Sequence, residues 1–594
     1  MKKQAFEQQI KKYEEILEQQ NRTFKAIGFI KLLHVLFLVW VIYLIVTGSA
    51  STAVLVISGA LGLLLVGFWI YHEKLKQQVN YSKGIIKINQ RHLDRISGAW
   101  SGFADIGSEF VNHDHPYASD LDIVGKKSVF QFLNTTNTWH GRQKFANDLL
   151  YPAYSDTEIK ARQAAITELA EDIVFSNHIA VKFSQIGVHA GAKVIAKRLE
   201  NTKPFLKNDG LKRLLVYGPL VVIFLAGFAF LTRFTQLYLP VAIFFLLQLS
   251  IWLLSFLPTA KYLEDVAYLS YNLNEYSEVI RELEQRKFKS ERLVDIQKSL
   301  ATSEASASAA IKELARISSR ANLRRNVIAW VVLNLTSLWD LVTAIRFDLW
   351  KRKYAHLAEG WFISLGDFES LLSFSHLPNV VEGTCVPTIA PDKRVTATAL
   401  GHPLILNEKR VCNDVACEGN IFIISGSNMS GKTTFMRTVG VNVVLARAGS
   451  FVCAEAMAFA QLAVMTSMRI ADDLSEGISM FYAELTRIKG IIEMARAEPE
   501  MLFLIDEVFR GTNSVDRLVG ARTILKKLDE LGVVGMITTH DLELCEIADD
   551  FVRMKNYSFS ERYTDDEIHF DYEMKKGVST TTNAKYLMKM MGII

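Results

Sequence analysis

One stretch of the sequence carries residue types that bind phosphate groups, at a spacing suited to that task. It fits the pattern G-x-x-x-x-G-K-S/T and consists of Gly426, Ser427, Asn428, Met429, Ser430, Gly431, Lys432 and Thr433, with Thr434 next. A strand-like run (421–424) precedes it and a helix-prone run (434–446) follows. Glycines let successive backbone N–H groups turn toward one anion, and the helix N-terminus adds its positive dipole end. A structural glycine turn could share these letters, but the flanking strand and helix favour a phosphate-binding loop.

The same loop predicts ATP and Mg²⁺ as cofactors. Lys432 would reach the β- and γ-phosphates, and Thr433 would ligate Mg²⁺. Two further strand-like runs lead to Asp506 with Glu507 and to His540. Asp506 would hold Mg²⁺ directly or through water, Glu507 would polarise the attacking water, and His540 would lie near the γ-phosphate. Taken singly, such carboxylates can cap helices and such a histidine can be a satisfied loop residue, but three strand ends in this order favour the catalytic interpretation.

The elements that hold these side chains alternate regularly. From residue 396 onward strand-like and helix-like runs follow one another, which is typical of a parallel sheet with crossover helices. The segments before it show helical periodicity, for example at 159–166. We therefore predict an α/β P-loop ATPase domain that lies C-terminal to an α-helical core domain.

The amino-acid composition bears on the number of domains, the kind of partner and the redox compartment. The chain has 594 residues, which predicts several domains, and half of them are apolar. A net charge of +4 from 67 basic and 63 acidic side chains does not by itself indicate a nucleic-acid partner. The five cysteines are scattered without zinc-ligand spacing, and a reducing compartment is the simple interpretation.

The apolar residues are concentrated in two pairs of long runs. Each run approaches the roughly 20 residues that cross a bilayer, the runs begin too late for a signal peptide, and both pairs have lysine-rich outer flanks. We predict two transmembrane hairpins with all outer flanks in the cytoplasm. The predicted domains are 1–71 (N-terminal helix and hairpin 27–46, 53–70), 72–213 (first part of the helical core), 214–257 (hairpin 214–231, 237–257), 258–395 (rest of the helical core) and 396–594 (ATPase domain).

A fifth apolar run extends from Val327 to Ile345 and contains Asn334 and Asp340. Uncompensated acids are costly in hydrocarbon, and an odd number of spans would place the phosphate loop outside the cell. We therefore predict a buried helix of the soluble part rather than a membrane span. The charged region 262–325 is predicted to form one or two long helices, with the alanine- and serine-rich stretch 299–310 as a packing face.

Two polar clusters leave alternatives open. His113, Asp114 and His115 with Asp120 and Asp122 could hold a metal, but solvated loop residues are the favoured interpretation. Four arginines at helical spacing could contact nucleic acid, although a solvated or membrane-proximal face is favoured: Arg316, Arg320, Arg324 and Arg325.

Several motifs together resemble the ATPase domain of the MutS DNA mismatch-repair family, which is of the ABC/MutS type. The resemblance covers the phosphate loop with its Asn428-Met429 pair, and it extends to the segments 402–405, 472–479, 506–513 and 539–540. The segment 130–150 and the helix after it resemble the start of that family's helical core.

The resemblance implies more than one nucleotide site. In this family two ATPase domains face each other, which implies a homodimer in which Ser479, preceded by Asp472 and Asp473, completes the partner's site in trans. It also implies that His402 contributes to nucleotide binding. Arg410 lies where the family offers an aromatic residue to the adenine, and its guanidinium plane could stack there instead.

The chain differs from the family in ways that limit which functions can be inferred for it. No mismatch-reading domain or DNA clamp is recognisable, and apolar hairpins occupy their places. We expect a multi-pass protein of the cell (inner, cytoplasmic) membrane whose cytoplasmic ATPase domain couples ATP hydrolysis to movements of core and membrane helices. The alternative is a membrane-tethered DNA-binding protein that senses mismatched or unusual DNA. An exporter fits poorly, because the four spans lack an obvious polar lining.

Overall fold

The structure is a computed structural model that describes residues 2–48, 51–187, 205–206, 208–268, 272–302, 305–427, 429–469, 480–509, 514–563 and 568–579. Its α-helices are α1 Lys2–Val46, α2 Thr52–Ser97, α3 Val129–Leu133, α4 Trp139–Leu150, α5 Asp156–Glu171, α6 Ile173–Ile186, α7 Asp209–Thr232, α8 Tyr238–Tyr268, α9 Leu273–Gln285, α10 Glu291–Leu300, α11 Ala307–Asn322, α12 Val327–Ser337, α13 Trp339–Ser375, α14 Leu377–Val380, α15 Lys432–Arg447, α16 Met480–Ala497, α17 Ser514–Glu530 and α18 Leu542–Cys545.

The strands among the described residues form three sheets. Their bounds are β1 Ala301–Thr302, β2 Ala305–Ser306, β3 Thr388–Ile389, β4 Arg394–Leu400, β5 Asn413–Glu418, β6 Ile421–Ser425, β7 Ala456–Phe459, β8 Ala463–Ser467, β9 Met501–Asp506, β10 Val534–Thr539, β11 Met554–Tyr563 and β12 Ile568–Lys576. Short 3₁₀ turns occupy Ala99–Gly102, Ser108–Phe110, Thr235–Leu237, Leu323–Arg325 and Glu546–Asp550.

By compactness the chain divides into two units, each assembled from separate segments. Unit 1 contains Met1–Asn134, Ala146–Val181 and Leu372–Ile594, and unit 2 contains Thr135–Phe145 and Lys182–Leu371. The five consecutive domains expected from the sequence stay a prediction.

Unit 1 begins with the antiparallel pair α1 and α2. Aromatic contacts hold the polar halves of the two helices together, because Phe6 stacks on His92 at 4.7 Å and Phe24 stacks on His72 at 4.2 Å. The apolar halves leave large side chains exposed, for example Trp40 at 51% and Trp69 at 59%.

The α/β part of unit 1 is built around a six-stranded sheet in the order β12-β11-β6-β10-β9-β8. Strands β11, β6, β10, β9 and β8 run parallel, and β12 is antiparallel to β11. Strands β6, β9 and β10 are fully buried, which explains their continuous apolar sequences. The expected α/β domain is thus present, and the six-stranded sheet brings the three predicted strand ends to one edge.

A second, four-stranded sheet was not expected. Its order is β3-β7-β4-β5, and β4 pairs antiparallel with both β5 and β7. The first strands after residue 393 therefore do not form a parallel crossover unit. Strand β5 alternates buried and exposed residues, the pattern of a sheet with one covered face.

Unit 2 is helical, and it differs from the sequence prediction in the region 262–325. Four helices (α8 to α11) replace the expected one or two, and the stretch 299–310 turns instead of continuing as a helix. The small pair β1–β2 forms the turn, and Ser306 caps α11 by accepting a hydrogen bond from the backbone N–H of Ala309 at 3.2 Å.

The prediction of one buried helix over Val327–Ile345 is wrong. Two helices, α12 and α13, meet there at an angle of 77°. Leu338 adopts a left-handed φ of +49°, and the side-chain oxygen of Asn334 accepts a hydrogen bond from the backbone N–H of Asp340 at 3.0 Å, which caps the start of α13. The α13 side of the elbow is buried, but α12 exposes apolar side chains such as Ile328 at 80%.

Within the described residues, four helices are long and apolar enough to cross a membrane. They are Lys3–Val46, Val56–Ser97, Gly210–Thr232 and Thr235–Leu263, and the bent pair at Leu338 could add a fifth. These helices overlap the four runs predicted as spans.

Candidate nucleotide-binding site

The phosphate loop joins the buried strand β6 to helix α15 through two glycines whose backbone geometry is special. Gly426 has φ +148° and Gly431 has φ +109°, a range that favours glycine. Space is also restricted, because a Cβ on Gly426 would lie 2.7 Å from the backbone oxygen of Phe559. The loop therefore needs glycine at both ends of its turn, as its sequence pattern implied.

The side chain of Lys432 folds back over this loop. Its ammonium donates hydrogen bonds to the backbone oxygens of Gly426 at 2.7 Å and Ser427 at 2.8 Å, and the residue is only 4% exposed. This places one positive charge where the loop and the N-terminus of α15 converge. A phosphate group bound there would meet the ammonium without a large movement of the backbone.

Thr433 and Asp506 lie side by side at the ends of two elements. The Thr433 hydroxyl donates to the Asp506 carboxylate at 3.0 Å, and the Thr538 hydroxyl donates to the other Asp506 oxygen at 2.6 Å. A hydroxyl and a carboxylate are hard oxygen ligands of the kind Mg²⁺ prefers, with phosphate and water completing the octahedron. No cluster of three or more His, Cys, Asp or Glu suited to a metal exists among the described residues.

Glu507 and His540 contact each other beside this group. The Glu507 carboxylate contacts Nε2 of His540, whose Nδ1 lies 2.9 Å from the backbone oxygen of Gly426. Glu507 has a left-handed φ of +51°, and its backbone N–H donates to the Thr538 hydroxyl at 3.1 Å. The imidazole thus bridges the carboxylate to the phosphate loop, so both predicted catalytic residues lie at the same sheet edge.

These residues open onto one cavity of about 680 Å³. The phosphate-loop residues Ser427, Met429, Gly431, Lys432, Thr433 and Thr434 line it together with Glu507, and the remaining lining includes Leu400, Ile405, Val411, Phe559 and Tyr572. A volume of this size is within the usual range for small-molecule and cofactor sites. The cavity therefore combines a phosphate-binding end with a more apolar part.

Tyr572 is a lining residue that the sequence analysis missed. It projects from the hairpin β11–β12, and Asn413 holds its backbone by donating to the Tyr572 oxygen at 3.0 Å and accepting from the Met574 N–H at 2.7 Å. The residue is 44% exposed and lines the cavity, so its ring is partly accessible there. The alternation of Ile568, Phe570, Tyr572 and Met574 could have indicated this strand.

His402 also lines the cavity, where the resemblance placed it. Its Nδ1 accepts a hydrogen bond from the backbone N–H of Leu404 at 3.2 Å. Burial, assisted by the positive charge of Arg437, lowers the pKa of His402 to about 4. The imidazole is therefore neutral at physiological pH, with Nδ1 accepting from Leu404 and the proton on Nε2.

Arg410 does not occupy the expected position. Its guanidinium donates to the backbone oxygen of Glu382 at 2.6 Å, and a Cβ on Gly401 would lie 2.6 Å from its side chain. The neighbours Lys409 and Val411 line the cavity, whereas Arg410 does not. The prediction that Arg410 stacks on adenine is corrected for this reason, and Tyr572 offers the aromatic surface instead.

Two other loop serines have structural partners. Ser430 donates to the backbone oxygen of Ser427 at 2.8 Å, and the Ser427 hydroxyl donates to Glu561 at 2.8 Å. Asn428 and Ser479 lie outside the described residues, as do Asp472, Asp473 and the segment 510–513. The role of Ser479 in trans therefore stays a prediction.

The acidic cluster near residue 115 is structural. His115 is buried with its Nε2 2.9 Å from the backbone oxygen of Leu150, and Asp120 accepts from the Thr466 hydroxyl at 2.6 Å. Asp122 pairs with Arg437 and Arg469. These carboxylates position the β8 end of the sheet, so the metal alternative has no support here.

Comparisons with known proteins agree with this geometry. Residues 422–593 match the family model described as MutS domain V. DNA mismatch repair protein MutS of Natronomonas pharaonis is 33% identical over 182 residues, which are 30% of this chain and 21% of that protein. DNA mismatch repair protein MutS 2 of Halobacterium salinarum is 34% identical over 198 residues, covering 32% of this chain and 23% of that protein.

A third relative matches a longer part of this chain. DNA mismatch repair protein MutS of Shouchella clausii is 28% identical over 266 residues, which are 43% of this chain and 30% of that protein. The chain thus spans between about a fifth and a third of the length of these curated relatives. Residues 422–593 thus match a MutS domain V, and over its C-terminal part the chain is similar to MutS proteins.

Proposed function

We propose that this protein is a membrane-anchored ATPase that binds and hydrolyses ATP with Mg²⁺. The observation that carries the proposal is the contact of Thr433 with Asp506 at 3.0 Å, whose sequence neighbours are Lys432 and Glu507. A phosphate loop, a carboxylate at the end of a neighbouring strand and a second carboxylate after it are the parts that phosphoryl transfer to water requires.

Each side chain has a separate task in this proposal. Lys432 would exchange its two backbone acceptors for phosphate oxygens and offset the charge that develops as the β–γ bridging bond breaks. Glu507 would take the proton of the water that bonds to the γ-phosphorus, and His540 would keep the Glu507 carboxylate beside the loop. Bound Mg²⁺, held by Thr433 and Asp506, would supply charge neutralisation on the β- and γ-phosphates.

The proposal includes a homodimer in which Ser479 of each subunit completes the partner's site. ATP would close the paired domains, and hydrolysis would reopen them. Support for membrane anchoring comes from four helices of membrane-crossing length, whose apolar windows are at most 11% buried. Large unburied apolar surfaces in a folded chain mark membrane or protein contacts. The location that follows is the cytoplasmic membrane, with the ATPase domain in the cytoplasm and the helices receiving the conformational change.

A second candidate function is DNA binding. The relatives that match the C-terminal part are named DNA mismatch repair proteins. In this candidate the membrane-tethered chain would recognise mismatched or unusual DNA through its helical core.

One experiment separates the two candidates. The detergent-solubilised full chain is titrated with matched, mismatched and branched duplexes at several salt concentrations, with and without ATP. The ATPase proposal expects only weak, non-specific binding of all duplexes, together with Mg²⁺-dependent ATP hydrolysis that Lys432→Ala abolishes. Tight, salt-sensitive and ATP-dependent preference for a mismatched or branched duplex would establish the DNA-binding candidate instead.

A further inference from the structure

Helix α12 is short, apolar and only partly covered. It has 11 residues, so it extends over about 16 Å at a rise of 1.5 Å per residue. That is about half of the roughly 30 Å hydrocarbon core of a bilayer. At its end the chain bends by 77° into α13. Helix α12 alone therefore cannot span a membrane.

Contacts within unit 2 fix the position of α12 along helix α8. The Trp330 ring lies 5.5 Å from the ring of Trp252 and 5.8 Å from that of Phe256. Farther along, the Gln248 amide donates to the backbone oxygen of Leu335 at 2.8 Å. Helix α12 thus begins beside the cytoplasmic end of the predicted span 237–257 and ends beside its middle.

The outer face of α12 continues the exposed apolar surface of the neighbouring spans. Val327 is 65% exposed, Ile328 80% and Val332 53%. Leu254 of α8 is 83% exposed, and Leu214 of α7 is 62% exposed. Helix α12 packs against both α7 and α8, so these side chains belong to one apolar region of unit 2.

The polar residues of the elbow face the protein. Asn334 is fully buried and its amide donates to the backbone oxygen of Trp330 at 2.9 Å. Asp340 is 1% exposed and accepts from the Trp330 indole at 2.8 Å and from Arg324 at 3.1 Å. The acid is thus paired away from the apolar surface, which removes the main energetic objection to placing this segment in lipid.

Three exposed cations flank the apolar runs of these helices in the sequence. Arg213 precedes the apolar run of α7, Lys261 follows that of α8, and Arg325 precedes α12. The neighbouring Arg324 donates to the backbone oxygen of Ala260 at 3.1 Å, which brings the start of α12 next to the end of the α8 run. This arrangement fits anionic lipid headgroups at the cytoplasmic surface.

We propose that α12 is a re-entrant membrane helix. It enters the cytoplasmic leaflet beside α7 and α8, contacts lipid acyl chains through Val327, Ile328 and Val332, and leaves on the same side through the elbow at Leu338. The inference rests on the proposed membrane anchoring and adds a lipid-contacting element that does not cross the bilayer. The elbow thereby joins this lipid-contacting helix to α13.

The test measures the lipid contact of single labelled positions in the full chain. The exposed Cys412 and the half-buried Cys385 are replaced by serine, and a fluorophore is attached to Ile328→Cys. Leu254→Cys serves as the lipid reference, and Val515→Cys, which is 70% exposed on α17, serves as the aqueous reference. Protein in phosphatidylcholine and phosphatidylglycerol vesicles is exposed to iodide in the water or to nitroxide groups on the acyl chains.

The proposal expects the Ile328→Cys label to be quenched several-fold more by the lipid nitroxide than by iodide, as at Leu254→Cys. Iodide quenching like that at Val515→Cys, with Leu254→Cys still quenched by lipid, would overturn the re-entrant helix and leave membrane anchoring intact. Iodide quenching at both Ile328→Cys and Leu254→Cys would overturn membrane anchoring itself.

A second variant decides between a re-entrant helix and a bent span. Leu349 lies on α13 and is 52% exposed. In inside-out membrane vesicles, a membrane-impermeant maleimide should label Leu349→Cys as fully as Val515→Cys. Labelling of Val515→Cys alone would mean that the segment crosses the membrane, and the proposal would be wrong.

Discussion

The Thr433 hydroxyl and the Asp506 carboxylate lie 3.0 Å apart although 73 positions separate them in the sequence. Their proximity follows from the sheet, because β10 lies between β6 and β9 and pairs Thr539 with Ser425 and Thr538 with Asp506. The Thr538 hydroxyl then donates a hydrogen bond to the other Asp506 carboxylate oxygen. Three parallel strands thus bring the phosphate loop and the acidic pair to one edge.

Thr538→Val should weaken magnesium binding without removing a ligand. Its hydroxyl orients Asp506 at 2.6 Å, and loss of such an outer partner typically lowers metal affinity on the order of 10- to 100-fold. The Mg²⁺ concentration for half-maximal ATP hydrolysis should rise accordingly. Thr523→Val, at an exposed position of α17, is the matched control and should leave that concentration unchanged. An unchanged magnesium requirement in Thr538→Val would contradict the assignment of Asp506.

Tyr572→Ala should reduce the affinity for ATP through the base. Loss of aromatic stacking on a nucleic-acid base costs about 1–3 kcal/mol, and Tyr572→Phe should retain most of the stacking because it keeps the ring. Fluorescence titration with ATP measures the effect, and titration with inorganic tripolyphosphate is the control. If Tyr572→Ala weakens tripolyphosphate binding as much as ATP binding, the residue does not contact the adenine.

His402 should make the α/β part sensitive to acid. Its pKa in the folded state is about 4, below the ordinary 6.5, because burial favours the neutral ring. The contribution of His402 to the free energy of unfolding is therefore complete above pH 6.5. It is lost as the pH falls from 6.5 toward 4, and the loss is at most about 3 kcal/mol.

His402→Asn retains an acceptor near the Leu404 N–H but does not titrate. The thermal midpoint of this variant should fall less than that of the unmodified chain between pH 7 and pH 5. The exposed His113→Asn serves as the control and should behave like the unmodified chain. Parallel pH profiles for His402→Asn and the unmodified chain would refute the effect.

Mixing two inactive variants should restore part of the ATPase activity if sites are shared. A subunit with Ser479→Ala and a subunit with Lys432→Ala each lack one half of a site. A heterodimer then contains one site with both faults and one intact site. Turnover of the mixture at several ratios measures this, with each variant alone as the control. No recovery at any ratio would argue against completion of the site in trans.

The parts of the site that depend on local sequence could be predicted. The glycines of the loop, Lys432 and the strand-ending Asp506 and Glu507 follow from continuous apolar strands and fixed spacings. Tyr572 could not be found in this way, because its position depends on a hairpin whose strand β11 pairs with β6 more than 100 positions earlier. The predicted stacking of Arg410 on adenine does not agree with the structure, because the guanidinium of Arg410 donates a hydrogen bond to the backbone oxygen of Glu382.

In the helical part too, some features could be predicted from the sequence and others could not. The four long apolar runs were recognised from length and hydropathy alone, and all overlap helices of membrane-crossing length. The elbow at Leu338 was missed, because a run of apolar residues does not reveal that Asn334 ends one helix by capping the next. Side-chain capping and long-range pairing are thus the features that the sequence left hidden.

The most direct test of the central claim is ATP turnover by the full chain in lipid vesicles, compared with that of Glu507→Gln. The substitution keeps the size of the side chain and removes the base that would accept a proton from water. We predict unchanged ATP binding, with hydrolysis reduced on the order of a hundredfold or more. Glu507→Gln turnover equal to that of the unmodified chain would contradict the account.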